Sequence, residues 1–506
     1  MSGSEVGGFP SMTRVSFLSR SDSEAIHTAS LEVLERTGIS VKNESAVKIL
    51  RENGATPSAD RVRIPSSLVE EMLKRVPSSV SLYSRDGENQ YEVGGNRVLF
   101  NPASSSIYFR DGETGQIRKA TSDDLVRFVK VVDGLDCIEA QSTAMVPSDV
   151  PVSISDLYRL YIVLRESRKP IITGAFSKEG LLEMKQMLAS VAGGEKQLAD
   201  EPRAVFDCCP LSVLIWGDVS TQNLIDCSAN GIPAAIVPAP LMGATSPITL
   251  GGTLVQANAE VLSGIVIAQL TNSGCSLIYG GATSVLDQRH GTSRIGAPEA
   301  AIVACASAEM GRFYGMPTQA YLGVSDSMTV DAQSGYESAA GLVLGAMAGI
   351  NIISGPGMLA SINCQSLEKL VLDNEVCRAA YRLIEGIAME DLSAEVDLVD
   401  SVGPGGQYLS KQHTRDNLMK EHAIPTEVIS RLSHDKWMLE GAKDSASLMQ
   451  EGAKDSASLA REQVTKILDA HSGEPLLDDR AAQLDSTMSQ ILKRHGIPRS
   501  TLPLEI

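Results

Sequence analysis

The sequence predicts an α/β fold: a (β/α)8 TIM barrel with an N-terminal helical region and a C-terminal helical extension. Three observations predict it. Eight short apolar runs, often β-branched, recur along the middle of the chain. Long helical patterns separate most of them. Six of the eight runs end in Pro or Gly rather than in a bulky residue. Uninterrupted apolar strands alternating with helices imply a parallel sheet buried on both faces. Eight units over about 270 residues fit a closed barrel, whose chemistry sits at the C-terminal strand ends. The first two units are irregular, so an open doubly wound sheet is the alternative.

The elements follow in order. Residues 1–14 are small, polar and Gly-rich and predict a loose tail. SDSEAIHTASLEVLERTG (21–38) has a Ser/Asp cap, helical apolar spacing and a Gly stop. Further helices are expected at 44–54 and 66–76, giving a helical cap over 1–90. Strand runs lie at 97–109, 138–147, 169–176, 204–210, 234–240, 276–281, 318–323 and 350–357, within a barrel over 91–385. Helices are expected at 179–193, 253–270, 298–315 and 336–349. The segment 386–506 is a charged helical extension that begins near a Gly-rich loop, GPGGQYLSKQHT (403–414). In it EGAKDSASLMQ (440–450) is followed at once by EGAKDSASLAR (451–461). Eleven residues are close to three helical turns, so the duplication predicts a helix lengthened on one face.

Bulk properties narrow the function. The chain has 506 residues and a net charge of −18, which excludes nucleic acid as a partner because phosphate binding needs clustered Lys and Arg. No apolar run approaches the roughly 20 residues of a membrane helix, so no membrane partner is expected. The N-terminus MSGSEVGGFPSMTR lacks a basic stretch followed by an apolar run, so no secretory signal is expected. The eight cysteines are scattered and form no C-x-x-C, which reads as a reducing, cytoplasmic setting. The seven histidines form no local zinc motif, and no metal site is expected. A homo-oligomer is expected.

Standard catalytic motifs are missing. There is no G-x-G-x-x-G opening a βαβ unit, no phosphate loop and no G-x-S-x-G elbow. The strand ends carry no Lys for a Schiff base, which disfavours an aldolase or lyase. They do carry Tyr108 and Phe109, Asp207 with Cys208 and Cys209, Trp216, Met242, Tyr279, Tyr321, and the cluster Ser325, Asp326, Asp331, Gln333, Tyr336 and Glu337. Aromatics and carboxylates among small residues suit a compact alkylammonium cation. The bland alternatives are core packing for each aromatic, helix capping for Ser325 or Asp326, a paired structural carboxylate for Glu260, and surface hydrogen bonding for His290 and His413.

Several motifs then point one way: VPSDVP (146–151), the run from GIPAAIVPAP to GIVIAQL (231–270), LIYGGATSVLDQRHG (277–291), GAPEAA (296–301), SDSMTVDAQSGYE (325–337) and VGPGGQYLSKQHT (402–414). Through them the chain resembles the trimethylamine methyltransferase superfamily over about residues 14–490, in particular its members without pyrrolysine. The resemblance implies a TIM barrel that passes methyl from a methylamine to the Co(I) corrinoid of a small partner protein, with no tightly bound cofactor of its own. In the trimethylamine enzymes, pyrrolysine immediately precedes the segment that matches Ser325 onward. That position is Val324 here, and Met328 replaces a usual Lys. The pyrrolysine-free members resemble quaternary amine demethylases. Such a donor already carries its charge and leaves as a neutral amine, so it needs no acid. Glycine betaine is the leading expectation. Carnitine, proline betaine, choline, trimethylamine and a non-catalytic methylamine-binding barrel are the alternatives. The expected catalytic carboxylates are Asp326, Glu260 and Glu337. Substrate contacts are expected from Gly323, Val324, Ser325, Tyr108, Tyr279, Tyr321, Tyr336, Gln333 and His290, with Arg289, His290 or helix N-termini meeting a substrate carboxylate.

Overall fold

The computed structural model describes residues 14–389, 392–439, 455–471 and 476–503. Its architecture is mixed α/β. Eight short strands occupy the eight apolar runs: β1 Leu99–Asn101, β2 Gln141–Ser142, β3 Ile171–Thr173, β4 Ala204–Cys208, β5 Ala234–Ile236, β6 Leu277–Tyr279, β7 Gln319–Tyr321 and β8 Ile352–Ser354. β2 to β6 pair in parallel as one sheet, and β7, β8 and β1 as a second. An isolated parallel bridge, Tyr279 to Thr318, joins β6 to the start of β7. Beside β2, Ala140 N–H donates to Phe100 O of β1 at 3.2 Å. The strands are thus laddered as five and three rather than as one run of eight. Both seams fall where strands are only two or three residues long.

Helices cover the sheets for local reasons. Ser19 and Asp22 form a capping box for Arg20–Arg36, Thr121 and Asp124 do so for Ser122–Asp133, and Asp331 and Ser334 for Ala332–Met347. Leu250–Thr271 is buried on nearly all sides because it is sandwiched between the N-terminal helices and the neighbouring helices that cover the sheets. Among the described residues it is the one helix long and apolar enough to cross a membrane, and it is mostly buried within the protein.

The N-terminal region contains the three expected helices, Arg20–Arg36, Glu44–Glu52 and Ser66–Leu73, but it is not purely helical. It also holds the hairpins 56–63 and 79–94. The second hairpin crosses residue 90, and its alternating SVSLY pattern buries Val80 and Leu82. With Val93 they join an interior cluster containing Leu99, Ile172, Val205, Ala235, Ile278 and Ile352 from the parallel strands. Hydrogen bonds from Tyr83 N–H to Pro202 O and Arg85 N–H to Arg168 O, both 2.8 Å, seat the hairpin below the strand starts. The opposite end, where the strands finish, is left for the loops.

In the C-terminal region, Leu392–Val402 and Gln412–Glu421 bury none of their residues. Ser456–Ala470 packs against Leu367–Glu385, and Asp478–Arg494 against Gly180–Ala192. The duplication does not read through as one helix. Asp455, inside the second copy, accepts from Ser458 N–H and caps the helix there. The first copy, 440–450, lies outside the described residues.

Candidate active site

A cavity of about 490 Å³ opens at the C-terminal strand ends. It is walled by the loops after β1, β3 and β4, by Tyr321 of β7, and by Arg159 from the helix Ser155–Glu166. At its floor Asp207 is half-buried. Asp207 Oδ2 accepts from the Tyr321 hydroxyl at 2.9 Å and Oδ1 from Gln319 Nε2 at 3.1 Å. Burial pushes its carboxyl up to about 6, against the pull of those two hydrogen bonds. No Lys, Arg or His among the described residues pairs with it. An ionised Asp207 therefore has donors but lacks a counter-cation.

Arg159 is 1% exposed. Its two Nη groups donate to Thr143 O at 2.9 Å and Gly174 O at 3.3 Å, and its guanidinium lies 4.3 Å from the centre of the Phe176 ring. Its Nε has no partner. Burial lowers its pKa to about 10, so it stays charged at neutral pH. Asn223 also lines the cavity, donates to Ala175 O at 3.1 Å and keeps its Oδ1 unpartnered.

Of the carboxylates singled out from the sequence, Glu260 and Glu337 lie on the helices Leu250–Thr271 and Ala332–Met347 and Asp326 on the loop after β7, and none of the three lines the cavity. Glu260 Oε1 accepts from Leu214 N–H at 2.8 Å and Gln256 Nε2 at 3.1 Å, and Oε2 from Ser212 Oγ at 2.9 Å. It thereby holds the loop after β4, and burial pushes it up to about 7. Glu337 Oε2 accepts from Ser325 Oγ at 2.6 Å and Asp326 N–H at 2.8 Å, and Oε1 from Gln333 Nε2 at 3.0 Å. Asp326 Oδ1 accepts from Ile295 N–H at 3.1 Å and Ser361 Oγ at 2.5 Å. Asp326 and Glu337 thus tie the loop after β7 to its neighbours. Asp331 caps the next helix.

Of the expected contact residues, Tyr321 faces the cavity. Val324, 1% exposed, packs in the interior cluster with Tyr321, Val237, Ile295 and Met358. Gly323 has φ +80°, and a Cβ there would meet Leu342 at 2.4 Å, so this turn requires glycine. Tyr279 turns outward to the helix layer, where its hydroxyl donates to Asn258 Oδ1 at 2.8 Å. Tyr108 and Tyr336 are exposed, on the strand Tyr108–Arg110 of a four-stranded side sheet and on the helix Ala332–Met347. His290 and Arg289 sit on an exposed loop around Asp287, whose carboxyl the His290 hydrogen bond holds below the usual range. Trp216 is buried, donating to Ser263 Oγ at 2.8 Å. His413 pairs with Glu395 at 3.0 Å. Among the described residues no group of three or more His, Cys, Asp or Glu side chains is arranged to hold a metal ion.

The family model for trimethylamine methyltransferase matches residues 9–495. The chain belongs to the trimethylamine methyltransferase family. Among the relatives of this family member is a trimethylamine methyltransferase MttB of Desulfitobacterium hafniense (strain DSM 10664 / DCB-2), 31% identical and covering 94% of each chain. A glycine betaine methyltransferase of D. hafniense (strain Y51) is also 31% identical, over 85% of this chain and 90% of that one. Equal identity to relatives named for two donors means that overall similarity does not choose between them. The solved monomethylamine methyltransferase (MtmB) of Methanosarcina barkeri shares the fold, with TM-score 0.53 and 14% identity over 91% of this chain and 90% of that one.

Arg159 and Asn223, both on helices, escape a reading centred on strand ends, and Phe176, the last residue of the run 169–176, was not singled out. The available signal was a charged residue in the middle of the otherwise apolar LYRLYIVL. Asp207, by contrast, is visible as a charged residue at a strand end.

Proposed function

We propose that this family member moves a methyl group from a quaternary amine, glycine betaine first, to the Co(I) corrinoid of a partner protein. The active site would lie at the mouth of a closed (β/α)8 barrel. The cyclic strand order, with a bridge at one seam and a hydrogen bond at the other, supports closure. The observation that carries the function is Asp207, a desolvated carboxylate without a protein cation beside Tyr321, in a cavity that also presents Phe176. An alkylammonium supplies the missing charge and packs its methyls on ring faces.

A cavity of about 490 Å³ suits a small amine but not a corrin macrocycle, which fits an acceptor presented at the mouth by a partner. The Co(I) centre supplies the nucleophilic electron pair. As the methyl C–N bond breaks, its electrons return to nitrogen, and the cation becomes a neutral tertiary amine. No proton moves, so no acid or base is required. Asp207 and the rings hold and aim the cation, while the surrounding apolar wall excludes water. Asp207 stabilises the charged reactant more than the neutral product, so its hydrogen bonds to Tyr321 and Gln319 serve to moderate the pairing. Val324 packs behind Tyr321 in the interior cluster, outside the cavity lining, and offers no group able to activate a neutral amine.

The test is product analysis. Protein, a Co(I) corrinoid acceptor and glycine betaine should yield dimethylglycine by mass spectrometry. No demethylated product from any quaternary amine would refute the proposal.

A further inference from the structure

We propose that Arg159 reads the carboxylate of the substrate, making the site selective for zwitterionic betaines over quaternary amines without an acid group. This rests on the functional reading above. Three observations carry it. Arg159 is a nearly fully buried cation that lines the same cavity as Asp207. It forms no ion pair with a carboxylate among the described residues. The nearby Asp156 supports the cation electrostatically but directs its oxygens to Phe176 N–H at 2.7 Å and Leu157 N–H at 3.0 Å. Its Nη atoms are anchored on two backbone carbonyls, which fix the guanidinium plane, while Nε lacks an acceptor. A buried guanidinium stacked on a ring and short of acceptors is suited to a planar carboxylate.

Asp207 and Arg159, neither in a salt bridge among the described residues, give the cavity opposite signs on different walls: Asp207 at the floor with β4 and β7, Arg159 beside the loop after β3. A zwitterion answers both at once. Choline answers only the first and leaves Arg159 desolvated and unpaired, a cost that a buried charge makes large. Arg159 is thus a specificity residue that touches substrate away from the reacting methyl. The exposed Arg289 and His290 are occupied with Asp287 instead.

The test needs no variant at first. Calorimetry with the full chain compares glycine betaine with its methyl ester and with choline. The ester keeps the trimethylammonium but masks the charge. Wild type should bind glycine betaine about 100-fold more tightly than either, as a charge-assisted bond in a buried site allows. Arg159→Gln should cut glycine betaine affinity by a similar factor and leave choline within a few-fold. Arg159→Lys, which keeps the charge but not the fork, should recover part of the loss. Equal wild-type affinity for betaine and ester would overturn the role of Arg159 while leaving the functional reading standing. A protein that binds no quaternary amine would overturn both. If Arg159→Gln does not fold, the wild-type comparison decides alone.

Discussion

Asp207 sets the chemistry at the smallest scale. Its carboxyl is pushed up to about 6 by burial, so the substrate-free protein takes up a proton as pH falls through that value. The protonated form has no charge to offer an ammonium. kcat/KM for glycine betaine should therefore fall below about pH 6 and level off above it. Asp207→Asn should flatten that limb and raise KM about 10- to 100-fold, with a smaller drop in kcat. The stability sign is opposite. A carboxyl whose folded pKa exceeds its unfolded value of about 4 favours the fold when protonated, so this contribution declines as pH rises from about 4 to 6. Bound betaine should offset it, giving a larger thermal shift at pH 8 than at pH 5. A shift that ignored pH would count against Asp207. Tyr321 was legible in the sequence because aromatics are scarce and it ends a strand. The reach of Glu260 into the loop after β4 was not, because its partners Ser212 and Leu214 lie about 46 residues back in the chain.

At the scale of elements, one buried pair ties the loop after β7 to the loop after β8. Lys369 Nζ donates to Gly323 O at 3.2 Å, to Ser338 Oγ at 2.6 Å and to Asp373 Oδ2 at 2.5 Å. The same Asp373 oxygen accepts from Gly357 N–H at 2.8 Å in the loop after β8. Lys369→Met strands a buried carboxylate and should cost roughly 3–5 kcal/mol in urea unfolding. Adding Asp373→Asn should return part of it, and a double variant no better than the single would exclude the pair as the cause. The duplication invites a simpler check. Because Asp455 caps the helix within the second copy, deleting 440–450 should leave the melting temperature unchanged. Strand and helix periodicity made the eight apolar runs and most helices legible. The hairpin 79–94 was hidden because its first strand follows a helix closely and its partner, QYEVG, is mostly polar. Only contact with the strand starts makes that hairpin a floor.

At the scale of the whole molecule, a sheet-and-helix scaffold closes one end with a hairpin and leaves the other, where Asp207, Tyr321, Phe176 and Arg159 gather, to loops. Family membership covers nearly the full chain, yet relatives named for trimethylamine and for glycine betaine are both 31% identical. The donor must then be argued from Val324 and the cavity rather than from likeness. The most direct measurement mixes the protein with free Co(I) cobalamin and either glycine betaine or trimethylamine and follows the Co(I) absorbance. Loss of that absorbance with glycine betaine, and little or none with trimethylamine, is expected. Equal rates with both donors, or loss with trimethylamine alone, would contradict a quaternary amine methyltransferase.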